Sequence, residues 1–288
     1  MYKVGISLIL KNILGLVIFI IVDILTKNLI YSTVSLVLNY ILIMFLYDFK
    51  IFKLKFIKLS ELTLKNQKKI FFTGFSTFML SFLLMYIVNI PRYVIDFSMN
   101  NASSSIFGIL IMPASVIVLI AQFILHPFLI KINNMLLNKN YKNFKLTIFK
   151  ISIITFFLGI LSTIVASIIG IPILEFMYGI ELKKYSLALV VILLGATLYG
   201  ITNIISNILI VIRTINKQIL VSIIVAIISL LISIYLIKIN GVNGACYSYL
   251  ITMIIDFLLY LLLFVYSVKK IEKGKNENDK YNNTSIQC

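Results

Sequence analysis

Long apolar stretches separated by short polar segments run through the chain, and their lengths predict its architecture. A membrane-spanning helix needs about 20 mostly apolar residues. Because backbone groups in lipid must be paired within their own segment, and because the chain shows no barrel-like alternation, helices are predicted rather than strands. The predicted spans are 4–25, 29–47, 70–89, 105–128, 148–170, 187–211, 219–237 and 246–267. The predicted fold class is therefore an all-α integral membrane protein with about eight transmembrane helices.

Basic residues lie mainly on one side of these spans. Of the 26 Lys and Arg residues, 21 fall in the segments on the side of both termini. Loops rich in Lys and Arg stay in the cytoplasm, so we predict a multi-pass protein of the cytoplasmic (inner) membrane with both termini inside. The basic residues on the other side are Lys27, Arg92, Lys183, Lys184 and Lys238.

The composition supports a membrane protein and changes the meaning of the net charge. The chain is 61% hydrophobic and 12% charged, with a mean hydropathy of +1.07, whereas soluble domains carry about 25% charged residues. In a soluble protein the formal net charge of +16 would indicate a nucleic-acid partner. Here the positive cytoplasmic loops explain the charge, and no nucleic-acid partner is predicted.

Two polar regions lie outside the predicted spans. In 49–59, three Phe residues recur at helical spacing between lysines, which predicts a basic amphipathic helix on the lipids of the inner leaflet. This stretch belongs to a predicted cytoplasmic linker, 48–69. At the other end, 268–288 is rich in Lys, Asn and Glu and is predicted to be a disordered cytoplasmic tail.

Two charged side chains lie well inside predicted spans, where a charge at the helix centre costs about 2.5–3.5 kcal/mol. Lys11 is about two turns into the first span. It either faces a water-filled cavity and meets an anion, or extends its long side chain to the inner headgroups. Asp256 is deep in the last span. It is interpreted either as a proton- or cation-coupling site or as a hydrogen-bonding partner of a neighbouring helix.

Uncharged polar residues form stripes at helical spacing in two other spans. Asn203 and Asn207 share a face of the sixth span, and Ser222, Ser229 and Ser233 share a face of the seventh. Small and hydroxyl-bearing residues in such stripes are typical of close helix packing. The alternative is that these residues line a polar cavity.

The sequence offers little for catalysis. It contains ten acidic residues and one histidine, and it lacks the zinc-protease, serine-hydrolase, phosphate-loop and dinucleotide-binding motifs. Its two cysteines, Cys246 and Cys288, are far apart, which argues against a disulfide or a metal site. No catalytic residue, metal or cofactor is therefore predicted. A membrane-bound transferase would need acidic or histidine pairs at one membrane face, so transport is favoured over chemistry.

Four short motifs lie at predicted span boundaries. They are 89–95 (NIPRYVI), 126–128 (HPF), 171–179 (IPILEFMYG) and 241–245 (GVNGA). The first is predicted to form an external corner, and the last a turn before the final span. In sequence and in order they resemble elements of the polysaccharide or oligosaccharide flippases of the MATE-like MOP exporter superfamily.

The resemblance implies a MATE-like fold built from two six-helix lobes. Residues 1–47 would be the last two helices of the N-terminal lobe, and 70–267 would be a complete six-helix C-terminal lobe. The first four spans of the family have no counterpart in this sequence. The chain is therefore expected to be a truncated form or to act with a partner that supplies them.

The resemblance also implies a function. The flippases of this superfamily translocate polyprenyl-pyrophosphate-linked oligosaccharide across the cytoplasmic membrane for polysaccharide biosynthesis, including that of lipopolysaccharide O-antigen. The expected partners are this substrate, membrane lipids, a polysaccharide polymerase and glycosyltransferases. Lys11 and Arg92 are the cations expected to bind the pyrophosphate, although pairing with Asp96 is an alternative role for Arg92. The other hypotheses are an ion-coupled drug or small-molecule exporter of the same fold, and an inactive remnant.

Overall fold

Helices account for the regular structure in the described part of the chain. The computed structural model describes residues 2–48 and 64–284, and every regular element in these two ranges is helical. Within them, seven helices are long and apolar enough to cross a membrane. The chain is therefore an all-α multi-pass membrane protein, which confirms the predicted fold class. The predicted amphipathic helix at 49–59 lies outside the described residues.

The chain divides into two compact units, Met1–Lys69 and Ile70–Cys288. The first unit contains α1 (Tyr2–Thr26) and α2 (Leu29–Ile43), and α2 continues as a short π-helix, Met44–Asp48. These helices form because both are almost wholly apolar and backbone groups in lipid need partners within the segment.

Side-chain hydrogen bonds join α1 and α2 as an antiparallel hairpin. Near the turn, Ser32 Oγ donates a hydrogen bond of 3.0 Å to Asp23 Oδ1. Further along, Asn39 Nδ2 donates one of 3.1 Å to the backbone carbonyl of Lys11. The Asp23 carboxylate is thus met by a hydroxyl at the end of its span, as a polar group in an apolar setting requires.

The second unit is a bundle arranged around one central helix. Its helices, the first of which begins shortly before the unit, are α3 (Leu64–Ser98), α4 (Asn101–Leu125), α5 (Leu129–Leu137), α6 (Tyr141–Tyr178), α7 (Ser186–Val211) and α8 (Ile215–Thr284). Among the described membrane helices α7 is the most buried, and it packs against α4, α6 and α8. It therefore forms the core of this unit.

Proline positions explain one difference from the predicted boundaries. The stretch 89–95, predicted as an external corner, lies inside α3 with Pro91 in the helix. Membrane helices tolerate proline because neighbouring groups satisfy the backbone carbonyl that it leaves free. The chain turns later, at Asn100, which caps α4 by accepting a hydrogen bond of 3.0 Å from the Ser103 backbone N–H. At 126–128, by contrast, the proline motif does break the helix into a short 3₁₀ turn.

The last helix contains a sharp break at Gly241. Its backbone angles there are φ 55° and ψ −131°, a conformation that glycine adopts far more readily than residues with a Cβ atom. A Cβ atom on Gly244 would overlap the backbone carbonyl of Leu236. Both glycines of the 241–245 motif are therefore required, one by its backbone angle and one by a close approach.

The break divides α8 into two arms, α8a (215–240) and α8b (242–284), which pack antiparallel. Hydrogen bonds join Ser222 to Tyr260 and Ser233 to Ser248, so residue numbers rise in one arm as they fall in the other. The two arms contain the seventh and eighth predicted spans. Because the last of the seven long helices contains two spans, the seven helices account for the eight predicted spans.

The structure differs from the prediction at the C-terminal end. Residues 268–288 are predicted to be disordered, but α8b continues to Thr284. Packing explains the start of this extension, because Val268 is buried in a cluster with Phe144 and Ile148 of α6. Lys145 of α6 also forms an ion pair of 2.7 Å with Glu272. Composition alone shows neither contact.

Candidate functional site

A cavity of about 700 Å³ lies among α3, α4, α7 and α8 in the second unit. Its walls combine apolar and polar side chains, and none of the described residues that line it is acidic. The charged and polar residues of the lining are Ser81, Asn89, Arg92, Ser115, Gln122, Tyr199, Asn203, Ser206, Asn207 and Tyr249. Amides, hydroxyls and a guanidinium are groups that suit an anionic, hydroxyl-rich ligand.

Arg92 supplies the positive charge of this cavity. It lies near the end of α3, on the lining beside Asn89, and its side chain is exposed. A Cβ atom on Gly108 of α4 would lie 3.9 Å from Arg92 Cζ, so the absence of a side chain at Gly108 leaves room for the guanidinium. In the described structure Arg92 forms no ion pair with Asp96. The alternative role as a partner of Asp96 is therefore not seen.

Asn203 and Asn207 lie one turn apart on the cavity face of α7. Asn207 Nδ2 donates hydrogen bonds to the Asn203 backbone carbonyl at 2.8 Å and to Asn203 Oδ1 at 3.0 Å. This pairing orders the two amides. The structure thus brings three predicted site residues, Arg92, Asn203 and Asn207, into one lining.

A second polar feature runs along the contact between α8a and α8b, and we call it the polar seam. Three pairs of side chains bridge the arms: Ser222 and Tyr260 at 2.8 Å, Thr252 donating to Ser229 at 3.0 Å, and Ser233 donating to Ser248 at 3.2 Å. All six side chains are buried. Hydroxyl pairs of this kind hold membrane helices together and fix their register.

Asp256 lies within the polar seam, between the Thr252 and Tyr260 positions. Its side chain is 0% exposed, and neither carboxyl oxygen has a hydrogen-bond partner among the described residues. The register of the arms places it opposite Val225 and Ala226, which carry no polar side chain. A charged carboxylate without a partner is costly at this depth, so this group favours a neutral, protonated state or a bound cation.

The polar seam and the cavity meet at α7. Ser206 lines the cavity and donates a hydrogen bond of 2.8 Å to Gln218 Oε1 of α8a. Tyr199 and Tyr249 also line the cavity, and Tyr249 lies on α8b two turns before Asp256. Asp256 itself is not part of the lining.

The remaining predicted site residue, Lys11, belongs to the first unit. It is half-buried on α1, where its backbone carbonyl accepts the hydrogen bond from Asn39. Its role in binding stays a prediction. No group of three or more His, Cys, Asp or Glu side chains that could hold a metal ion occurs in the part of the chain that the structure describes.

Sequence reasoning missed several of these residues. Ser248, Thr252 and Tyr260 lie at multiples of four residues from the predicted Asp256, which is one face of a helix, and that spacing could have revealed the second half of the polar seam. Gln122 is different. It is one of two polar residues, with Ser115, in the apolar stretch 106–125 of α4, and only the packing of α4 shows that it lines the cavity.

Comparison with solved structures identifies the fold. The lipid II flippase MurJ, in an inward closed conformation, matches this chain with a TM-score of 0.64 over 91% of its length, at 20% sequence identity. The chain shares the fold of this flippase over the matched part. It spans 57% of the length of that flippase chain. Neither a protein-family model nor a curated protein matches the sequence.

Proposed function

We propose that this chain is a transporter, or the larger part of one, that moves a polyprenyl-pyrophosphate-linked oligosaccharide across the cytoplasmic membrane. The observation that carries the proposal is the cavity of about 700 Å³ lined by Arg92 and uncharged polar groups, within a fold shared with a lipid II flippase. The product would supply polysaccharide biosynthesis, such as that of lipopolysaccharide O-antigen. Glycosyltransferases and a polymerase would act before and after this step.

The lining suits the chemistry of such a substrate. A guanidinium forms paired, charge-assisted hydrogen bonds with phosphate oxygens, so Arg92 is the proposed pyrophosphate-binding residue. Asn203, Asn207 and Gln122 offer amide donors and acceptors for sugar hydroxyls. Because the described lining contains no carboxylate, an anionic substrate meets no repulsion there. Lys11 is the second proposed phosphate-binding cation.

Asp256 is the proposed coupling residue. Transporters of this kind expose their site alternately to the two sides of the membrane. A carboxyl that is buried without a partner in one state can gain or lose a proton or a cation when another state exposes it. The proposal also places both termini in the cytoplasm, as the distribution of Lys and Arg indicates.

Arg92→Ala provides the test. The chain would be expressed in a host that lacks its own flippase, and surface polysaccharide would be measured at matched membrane levels of protein. We expect the unmodified chain to restore polymer and Arg92→Ala to abolish it. The matched control is Lys238→Ala, which removes an exposed cation predicted on the same side but outside the cavity lining and should leave polymer unchanged.

Two results would contradict the proposal. One is failure of the unmodified chain to restore polymer, which would contradict transport by this chain on its own. The other is normal polymer from Arg92→Ala, which would remove this residue from the binding site. Lys11→Ala in the same assay tests the second proposed cation separately. The unmodified chain therefore tests transport, and the two variants test which residues bind the pyrophosphate.

The second candidate function is ion-coupled export of a small molecule. The cavity volume favours it, because pockets for drug-sized ligands measure about 300–1,000 Å³. Gradient-driven efflux of small anionic compounds from cells expressing the chain, with no restoration of polymer, would favour this function instead.

A further inference from the structure

A second cavity opens between α6, α7 and α8b and shares no lining residue with the first. Its volume is about 560 Å³, and we call it the apolar groove. Apart from Lys145 and Ser152, the described residues that line it are aliphatic or aromatic. The apolar part of the lining includes Phe149 and Phe156 of α6, Ile201 and Ile205 of α7, and Phe257 and Leu261 of α8b.

The length of the apolar groove matches one leaflet of a bilayer. Along α6 it extends from Lys145 to Phe156, which at 1.5 Å per residue is about 16 Å. Half of a hydrocarbon core about 30 Å thick is about 15 Å. With the termini in the cytoplasm, the Lys145 end lies at the inner surface and Phe156 near the middle of the membrane. The length of the apolar groove therefore matches the depth of the inner leaflet that an acyl chain occupies.

The mouth of the apolar groove is positively charged. Lys145 lines it, and Lys142 precedes Lys145 by one turn on the same face of α6. On α8b, Lys269 and Lys270 follow Phe264 of the lining and are exposed. Beside these lysines the structure describes one acidic side chain, that of Glu272, whose Oε1 lies 2.7 Å from Lys145 Nζ. Both side chains of this pair remain partly exposed, at 48% and 32%, so a competing anion can reach Lys145.

We propose that the apolar groove binds one acyl chain of an anionic phospholipid from the inner leaflet, with the phosphate of its headgroup at Lys145. The match in length argues for a single acyl chain, and the charge of the mouth argues for an anionic headgroup. Ile201 and Ile205 face this lipid from α7, while Asn203 and Asn207 on the same helix line the polar cavity. The lipid would thus support the helix that carries part of the transport site.

The chain contains no tryptophan, so one introduced tryptophan reports a single position. Phe156→Trp places the reporter in the apolar groove, and Phe157→Trp places it one residue away on α6, exposed and outside the lining. The full chain would be reconstituted in phosphatidylcholine vesicles with increasing amounts of phosphatidylglycerol brominated on its acyl chains. Bromine quenches tryptophan fluorescence on contact, so the titration gives the preference of each site for the anionic lipid.

At the Phe156→Trp reporter we expect an about fivefold preference for phosphatidylglycerol over phosphatidylcholine. The attraction between one lysine near the surface and an anionic lipid corresponds to about this ratio. The Phe157→Trp reporter should show no preference, because it meets the bulk bilayer at the same depth.

The ion pair supplies a sharper test. In the Phe156→Trp background, Lys145→Gln and Glu272→Gln both break the contact between Lys145 and Glu272. If the contact only joins the helices, the two substitutions have the same effect. If Lys145 binds a phosphate, Lys145→Gln abolishes the preference for phosphatidylglycerol, whereas Glu272→Gln increases it because the competing carboxylate is gone.

Three outcomes would overturn the proposal. Equal preference at both reporters would show that the apolar groove has no headgroup selectivity. Absence of quenching by any brominated lipid at the Phe156→Trp reporter would show that protein covers the apolar groove, from a second copy or from another part of this chain. Displacement of brominated phosphatidylglycerol by a small molar amount of polyprenyl phosphate would assign the groove to the tail of a transported lipid. None of these readouts requires transport, so they are independent of the proposed function.

Discussion

The Thr252 hydroxyl donates a hydrogen bond of 3.0 Å to the Ser229 hydroxyl across the two arms of α8, one helical turn from Asp256. Both side chains are buried. This contact joins residues 23 positions apart and fixes which residues of α8a face α8b. The absence of a polar residue opposite Asp256 follows from that register.

Thr252→Val should weaken the hairpin. Hydrogen bonds between membrane helices contribute about 0.6 kcal/mol on average and about 1.7 kcal/mol at most. We therefore expect the free energy of unfolding to decrease by an amount in this range. A double-mutant cycle with Ser229→Ala, measured by reversible unfolding in mixed micelles, isolates the coupling between the two hydroxyls. Ser162→Ala is the control, because that hydroxyl donates to the Leu158 carbonyl of its own helix. A coupling near zero would contradict the assigned contact.

Gly244→Ala should disrupt the fold more than any other glycine-to-alanine change in a helix of the second unit. Its new methyl group would overlap the Leu236 backbone carbonyl, and a backbone cannot move aside as a flexible side chain can. At Gly74 the same methyl group meets nothing within 4 Å, so Gly74→Ala should gain up to about 1 kcal/mol from helix propensity. The yield of folded protein and its melting temperature in detergent report both effects. Similar melting temperatures for the two variants would argue against the close approach at the break.

The sequence was enough to predict features that depend on local order. Apolar runs define the spans, and the glycines of 241–245 define the break between the last two. Arg92, expected at the site from the family resemblance, and Asn203 and Asn207, expected from a polar stripe, share one cavity lining, while their role in binding stays a prediction. Features that depend on which helix faces which could not be predicted this way. The unpaired state of Asp256 depends on the register of two arms, and the contact between Lys145 and Glu272 joins residues 127 positions apart in the chain.

Substitutions at Gly108 should affect transport in proportion to their size. An alanine methyl group would lie 3.9 Å from Arg92 Cζ, an ordinary van der Waals distance, so Gly108→Ala should retain most activity. The larger side chain of Gly108→Leu would occupy the space of the guanidinium and should reduce polymer to the level of Arg92→Ala. Normal polymer from Gly108→Leu in the polysaccharide assay would show that the guanidinium does not need this space.

Two interpretations of Asp256 predict opposite effects of substitution. If the carboxyl accepted a structural hydrogen bond, Asp256→Leu would destabilise the protein by about 1–3 kcal/mol, and Asp256→Asn would transport normally. Because its oxygens have no partner among the described residues, we expect both variants to melt at or above the temperature of the unmodified protein, since each removes a costly buried acid. Transport driven by an imposed proton or sodium gradient should then fall about tenfold or more in both variants, within the range of coupling energies known for linked sites. Melting curves in detergent and gradient-driven uptake into vesicles measure the two quantities separately. A lower melting temperature for Asp256→Leu, with normal gradient-driven uptake by Asp256→Asn, would establish the structural role and exclude the coupling role.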